Sequence, residues 1–492
     1  MDILNRFPDI LEAAQQQADH ALPGDIRFEA VFDRHSGLEA QKANIEKGII
    51  GAGRLILGDN LQVAKTLRAG MAAGTIPPAN LVYLDPPFFT RSVLTGTVAV
   101  RDAEGGSHVI ATESFADTWK DAEEGTAFEA YLTQTCACIM AARELLAEDG
   151  SLWLHLDHHA VHYVKVLADA IFGGPEHLMN EVIWQYKSGG ATKRRFARKH
   201  DTLLFYAKDP RRCKFFLSKE KSYNRGRKPY RFKGVKEYRD DEGWYTWVNM
   251  KDVWQIDMVG RTSAERTGYA TQKPYALLLR ILNACTREGD LVVDLYGGSG
   301  TTAIAAAAYG RDYILCDNAP AAILTAESRM VASGLPFSVL CGHPLLGEED
   351  IAAYLASAEI PEERKVRLRL IPHPPRTPEI TVRFDVETEE VDAQRLLVRV
   401  RVSRYGIAPE DMPVKARDRA LVEEAAAADP AQMIALLMAG PDEQPYRPLA
   451  AARRGEALEF FLPRSGGAQL QAIKIVAKDI FGNSCTELVT RG

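Results

Sequence analysis

The chain has 492 residues, 46% of them hydrophobic and 26% charged, a length beyond what one hydrophobic core usually organises, so two or three domains are expected. It carries no apolar run near the roughly 18 residues that cross a bilayer, and Met1 to Gln17 lacks the charged, then apolar, then small pattern of an export signal, so a soluble, unexported protein of the cytoplasm is expected. Seven scattered cysteines without a CxxC pair argue against a zinc knuckle or a disulfide framework, and a net charge of −6 allows a nucleic-acid partner only where basic residues concentrate locally.

Met1 to Lys47 mixes charged and apolar residues without a sustained period and reads as an irregular, partly helical extension. From Arg54 the texture changes. Leu55-Ile56-Leu57 is a short apolar run ending at Gly58-Asp59-Asn60, with a helical pattern behind it through Leu67, and Asn80 to Leu84 is a second buried strand ending at Asp85. The same strand-then-loop grammar predicts a helix from about Ala127 to Ala147, a strand Ser151 to Leu156, a helix His159 to Ile171 and apolar runs Val182 to Tyr186 and Thr202 to Tyr206. Between Lys187 and Lys236 about eighteen Lys and Arg stand against three acids, interleaved with Phe and Tyr, the composition of a surface that tracks phosphates. The alternation resumes with helix Pro274 to Thr286, strand Leu291 to Leu295, helix Thr301 to Tyr309 and strand Tyr313 to Cys316, which makes the fold class α/β. Ile371 to Pro378 is too proline-rich for a helix or central strand and reads as a stiff linker. Beyond it Ile380 to Val386, Leu396 to Val402 and Gln471 to Ala477 alternate apolar and polar residues, and Phe481-Gly482-Asn483 supplies a turn. A mainly β domain with an Ala-rich helix near Ala420 to Ala428 follows.

The sharpest motif is Asp85-Pro86-Pro87-Phe88, at the carboxyl end of an apolar strand, where ligands sit in open α/β sheets. Two prolines stiffen the backbone there. The loop can aim the Asp85 carboxylate and the Pro86 carbonyl at one amino group while Phe88 offers a face for a base. Taken alone, the same residues are equally a strand-ending turn with an Asp cap.

With its neighbours, the motif resembles the signature of the amino-methylating DNA methyltransferases: Asp, Ser or Asn, then Pro-Pro and an aromatic. Val293 to Thr302 resembles their S-adenosylmethionine (SAM) loop, where Tyr296, Gly297, Gly298, Ser299, Gly300 and Thr301 would let the backbone approach the cofactor and the next helix would present free amides to its carboxylate. By the same resemblance Asp317 would accept the ribose hydroxyls, Thr271-Gln272-Lys273-Pro274 would be a cofactor element with Lys273 or its neighbours facing the SAM carboxylate, and Asp59 with Asn60 would meet the adenine. Each of these also has a plain reading as a cap or helix start. Ser114 to Trp119, Gly150 to Tyr163, Asn180 to Trp184 and Phe196 to Ala207 look like that class too.

The order of the pieces is that of the circularly permuted β-class, including the modification subunits of type III restriction systems. The resemblance implies a Rossmann-like SAM-dependent methyltransferase sheet with a basic DNA-recognition insert and a C-terminal β-rich domain. The expected partition is an extension to residue 50, a catalytic half over 51–208, a target-recognition insert over 209–250, a SAM-binding half over 251–345, a linker over 346–378 and a β domain over 379–492. It further implies double-stranded DNA as partner, base flipping with Phe88 on one face of the base and Phe196 on the other, phosphate contacts from Arg194, Arg195, Arg198 and Lys199, a homodimer by family habit, and a restriction or defence-system setting. No metal is expected, and His155, His158, His159 and His162 read as packing and exposure. Asp at position 85 favours adenine N6 over cytosine N4. C5 methylation is disfavoured, since none of the seven cysteines follows a proline. The rivals are methylation of RNA or of a protein amide and, in another class, a non-catalytic SAM-fold subunit that binds DNA or a partner.

Overall fold

Runs such as Leu55-Ile56-Leu57 and Leu291-Val292-Val293 are apolar on both faces because each is sandwiched between two layers of helices, the situation of strands in a parallel sheet. The protein is described by a computed structural model that covers residues 3–21, 24–32, 53–117, 127–188, 193–344, 380–392, 395–442, 446, 448–463 and 472–489. In chain order its first part contains α1 (Phe7–His20), β1 (Gly24–Phe32), β2 (Arg54–Leu57), α2 (Asn60–Ala72), β3 (Ala79–Leu84), β4 (Ser92–Arg101), β5 (Ser107–Asp117), α3 (Ala127–Leu145), β6 (Leu146–Leu156), α4 (Val161–Phe172), β7 (Leu178–Gln185) and β8 (His200–Ala207). Then come β9 (Lys219–Tyr223), β10 (Tyr238–Asp240), β11 (Gly243–Asn249), β12 (Val253–Gln255), α5 (Tyr275–Cys285), β13 (Leu291–Asp294), α6 (Thr301–Ala308), β14 (Asp312–Asp317), α7 (Pro320–Ser333) and β15 (Phe337–Pro344).

Ten strands form one sheet in the order β1-β15-β2-β14-β13-β3-β6-β8-β7-β12. Only β1 and β8 run against their neighbours. The pleat sends alternate side chains to opposite faces, so Val82 and Leu84 join a core with α1, α2, α3 and α4, while Leu81 and Tyr83 join one with α5, α6 and α7. This is the Rossmann-like α/β architecture expected from the sequence. Among the described residues no helix is long and apolar enough to cross a membrane.

The extension is partly helical, as expected, and its helix is amphipathic where the sequence shows no sustained period. Phe7, Ile10, Leu11, Ala14 and Ala18 share one helical face and pack into the core, and β1 pairs with β15 as an edge strand. An unexpected element is the hairpin β4–β5, whose turn is organised by Asp102 accepting from the amides of Glu104 and Gly106. The helix expected to Ala147 stops at Leu145, and β6 begins at Leu146. β9, β10 and β11 form a separate three-stranded sheet within the insert.

The C-terminal part is mainly β, as expected, with β16 (Ile380–Glu390), β17 (Arg395–Ile407), α8 (Arg419–Ala428), β18 (Ile434–Pro441), β19 (Ala450–Arg453), β20 (Leu458–Pro463), β21 (Ile473–Asp479) and β22 (Ser484–Val489). Its core takes in Val100 and Ile110 from the hairpin, and Gln432 bonds both backbone groups of Arg101. A buried ion pair, Lys478 to Glu327 at 2.6 Å, ties it to α7. Gly482 has φ +94, and a Cβ there would stand 2.7 Å from the Ala321 nitrogen, so only glycine lets this turn approach so closely. The proline-rich stretch 371–378, with the rest of the expected linker, lies outside the described residues.

Candidate active site

Parallel strands put all their carboxyl ends on one edge, and the motifs collect there because each follows a strand. Asp85 follows β3, the glycine loop follows β13, Asp317 ends β14, Asp59 follows β2 and His155 lies near the end of β6. The register pairs Asp294 with Tyr83 and Asp317 with Leu57. β3 and β13 are direct neighbours, about 4.8 Å apart in the pairing direction, so the Asp85 corner and the glycine loop leave the sheet side by side.

Pro86 is buried, and Asp85, Pro87 and Phe88 are half-buried. The turn continues through Phe89 and Arg91, both left-handed at φ 62 and 58, a conformation costing roughly 1–2 kcal/mol per non-glycine residue. Packing offsets that cost. Phe89 lies 5.0 Å from Phe128 and 5.4 Å from Tyr131, Arg91 stacks on Phe89, and Asp117 accepts from both the amide and the hydroxyl of Thr90.

The Asp85 carboxylate divides its two oxygens. Oδ2 accepts a hydrogen bond from the Lys273 ammonium, and Oδ1 is buried with no hydrogen-bond partner among the described residues. Behind it runs a polar chain that sequence reasoning missed. His155, fully buried, has Nδ1 3.9 Å from Asp85 Oδ1 and 2.7 Å from the Tyr83 hydroxyl, while Nε2 is 3.1 Å from Asp201 Oδ2. The Tyr186 hydroxyl donates to Asp201 Oδ1 at 2.9 Å. Burial works to raise the Asp201 carboxyl, but the hydrogen bond and charge of His155, then Lys273 and Tyr186, hold it below the ordinary range. Both ring nitrogens are thus partnered, Nε2 with Asp201 and Nδ1 with the Tyr83 hydroxyl. Phe88 and Trp184 flank this ring at 5.7 and 5.4 Å. The only sequence signal for the chain was a histidine in an otherwise apolar strand.

In the glycine loop Gly298 and Gly300 have φ +49 and +77, and a Cβ on Gly297 would stand 2.2 Å from the Leu315 side chain. Helix α6 starts behind Gly300 with no side chain capping it, so its first amides are open to a ligand. Asp317 accepts from the amides of Gly298 at 2.8 Å and Ala319 at 2.9 Å, Asp59 accepts from the Gln62 amide at 3.0 Å as the cap of α2, and Asn60 opens that helix. Burial raises both carboxyls. Tyr296 is half-buried and donates to Cys138 Sγ at 3.1 Å. Thr301 Oγ1 donates to the Lys273 carbonyl at 3.1 Å, and Ser299 is buried beside it.

The Thr271-Gln272-Lys273 element departs most from its expected form. Gln272 braces its own loop, accepting from the amide and hydroxyl of Thr267 and donating to the Glu265 carbonyl. Thr271 is left-handed at φ 56, and Lys273 turns to Asp85. Pro274 is the N-cap of α5 and not its first residue.

Asp294 is completely buried, and burial, with Asp85 and Asp317 nearby, lifts its carboxyl to about 7 against the hydrogen bonds of Thr302 and the Tyr296 amide. Between about pH 4, where the unfolded carboxyl ionises, and about pH 7, the folded form keeps the proton that the unfolded form has lost, so folding weakens as pH rises and the loss is complete above 7. Asp294→Asn should remove this dependence. Thermal unfolding across that range is expected to show the wild type losing stability relative to the variant; parallel curves would place the Asp294 carboxyl at its ordinary value.

Arg194, Arg195 and Arg198 are exposed on one loop, with Arg198 against His158 and Lys199 donating to Ser188. Phe196 is 97% exposed and stands in solvent, not against Phe88. Of the four clustered histidines, His155 belongs to the buried chain, and His158 and His159 flank Asp157 near the surface.

A profile of the family described as DNA methylase, of the N6/N4 kind, matches residues 79–328. The type II methyltransferase M2.DpnII of Streptococcus pneumoniae is 25% identical over 256 residues, covering 51% of this chain and 82% of its own. Among solved structures, the M1.HpyAVI–SAM complex is 15% identical, with 56% of this chain and 99% of that chain covered at a TM-score of 0.34. The PvuII DNA methyltransferase (cytosine-N4-specific) is 14% identical, with 65% and 91% covered at 0.37.

Proposed function

The chain belongs to the N6/N4 DNA methylase family, and from that membership we propose that it transfers a methyl group from SAM to the exocyclic amine of a base flipped out of double-stranded DNA, adenine N6. The observation that carries the proposal is the pairing of β3 with β13, which sets the Asp85 corner beside the glycine loop, together with an Asp85 oxygen that is buried and, among the described residues, unpartnered. A buried acceptor without a donor is costly unless a ligand supplies one.

The residues fit the cofactor. The glycine loop has a conformation that side chains would block, the α6 amides are uncapped, Asp317 ends the neighbouring strand β14, and Asp59 follows β2, the strand beyond that. Gly297, Gly298, Ser299, Gly300 and Thr301 would hold the methionine end, with Tyr296, Thr271, Gln272 and Lys273 around it. Asp317 would face the ribose, and Asp59 and Asn60 the adenine. SAM, when bound, supplies a methyl group already activated on sulfonium.

The chain's own task is to orient a poor nucleophile, because the lone pair of a base amine is delocalised into the ring. Asp85 Oδ1 and the Pro86 carbonyl accept the two amine hydrogens, which favours a more tetrahedral nitrogen and aims its lone pair. Phe88 takes one face of the base. His155, fixed by Tyr83 and Asp201, holds the wall behind Asp85. A base inside duplex cannot reach this corner, so flipping is part of the reading. Adenine is favoured over cytosine by Asp at 85, on the resemblance. The resemblance to the permuted class, type III modification subunits included, extends the reading to a restriction or defence setting and, by family habit alone, to a homodimer.

Labelled SAM offered with unmethylated DNA, RNA and protein tests the substrate class: label in DNA alone is expected. The basic loop would contact phosphate. Replacing Arg194, Arg195, Arg198 and Lys199 with glutamine is expected to weaken DNA binding and to lower the slope of log affinity on log salt by about 0.9 for each phosphate that is no longer neutralised. An unchanged slope moves the DNA surface elsewhere.

A further inference from the structure

The ammonium of Lys273 crowds the place where the incoming amine has to go, on the other oxygen of the same carboxylate. Nζ donates to Asp85 Oδ2, lies 5.2 Å from the centre of the Phe88 ring and is 3.4 Å from the Thr271 carbonyl. Acceptor and stacking face are the two groups that the base itself would use, and Lys273 is only 9% exposed. With a charge-assisted bond on Oδ2, roughly twice as strong as a neutral one, and the ammonium over the Phe88 ring, a neutral amine arriving at Oδ1 meets a carboxylate already engaged and a stacking face already covered. The ammonium cannot be left in a buried site without an anion. A second anion must therefore take it before the base can be held. Nearby acids do not serve: Asp201 is bonded to His155 and Tyr186, and Asp317 to two backbone amides.

The backbone indicates where that anion binds. The Lys273 carbonyl is fastened to Thr301 Oγ1, the first residue of α6, so the lysine stem is rooted beside the uncapped amides while its tip reaches Asp85. Rotation of the side chain alone can carry its charge from one place to the other.

We propose that Lys273 is a positioning residue that occupies Asp85 until the carboxylate of the bound cofactor takes its ammonium, so that cofactor binding opens the base site. This rests on the SAM reading above. It makes cofactor binding precede capture of the base and explains why the lysine expected at the cofactor is found on the catalytic acid.

The test needs no DNA. Calorimetry measures binding of S-adenosylhomocysteine, which keeps the carboxylate, and of 5′-methylthioadenosine, which lacks it. Neither carries the sulfonium that Asp85 would itself attract. Asp85→Ala frees the lysine and is expected to tighten S-adenosylhomocysteine about ten-fold, the scale of one charge-assisted bond, leaving methylthioadenosine within about two-fold. Asp85→Asn, nearly the same shape, should act in the same direction. Lys273→Met should weaken S-adenosylhomocysteine and erase the gain in the double variant. Unchanged or weaker S-adenosylhomocysteine binding in both Asp85 variants, or an equal gain for methylthioadenosine, overturns the proposal while leaving the SAM reading intact. A wild type that binds neither nucleoside overturns the SAM reading itself.

Discussion

Asp85→Ala is expected to lower methyl transfer at least roughly a thousandfold, the scale seen when a preorganised electrostatic group is removed from a reaction site. The effect is large because nothing else takes over. Asp85 Oδ1 is buried without a partner among the described residues, and the polar side chain behind it, His155, is already committed to Tyr83 and Asp201. Without the carboxylate the amine loses one of its two acceptors and its lone pair is no longer aimed. Cofactor binding is retained, which separates loss of chemistry from loss of structure. Single-turnover transfer from labelled SAM is the measurement, and a variant within about ten-fold of wild type would remove Asp85 from the mechanism.

Gly300→Ala should cost the cofactor about two orders of magnitude in affinity. Two strains add. At φ +77 an alanine pays roughly 1–2 kcal/mol, and its Cβ would stand 2.6 Å from the Ala326 Cβ and 2.9 Å from the Ala326 Cα, in the body of α7. Overpacking of that kind costs about 1–3 kcal/mol. Either α7 shifts or the loop opens, and both disturb the amides of α6. Calorimetric titration with S-adenosylhomocysteine checks it. Affinity unchanged within about three-fold would show that the loop conformation does not make the site.

Much of this was legible along the chain, for reasons particular to the residues. Apolar runs before Asp59, Asp85 and Asp317 marked buried parallel strands, and residues at such strand ends converge on one edge. Two consecutive prolines and a run of glycines announce backbone conformations that few other residues allow. What could not be read were pairings between distant segments. Lys273 meets Asp85 across 188 positions, and His155 meets Asp201 across 46. Neither has a local signature, and the lysine was assigned to the cofactor because its neighbours resembled a cofactor element. The bonds by which Gln272 braces its own turn were equally without a local signature. The hairpin β4–β5 had alternating residues and the turn residues Asp102 to Gly106, yet its buried partners, Val100 and Ile110, face a domain some 300 residues later in the chain. The α1 helix was obscured by charged residues between apolar positions that prove to share one face.

The central claim is that a SAM methyl group ends on a base amine held at Asp85. DNA lacking prior methylation, incubated with the protein and SAM, is digested to nucleosides and separated by mass. N6-methyldeoxyadenosine, appearing with wild type and absent with Asp85→Ala, is the result expected. Methyl groups on cytosine C5, or on RNA or protein with none on DNA, would contradict it.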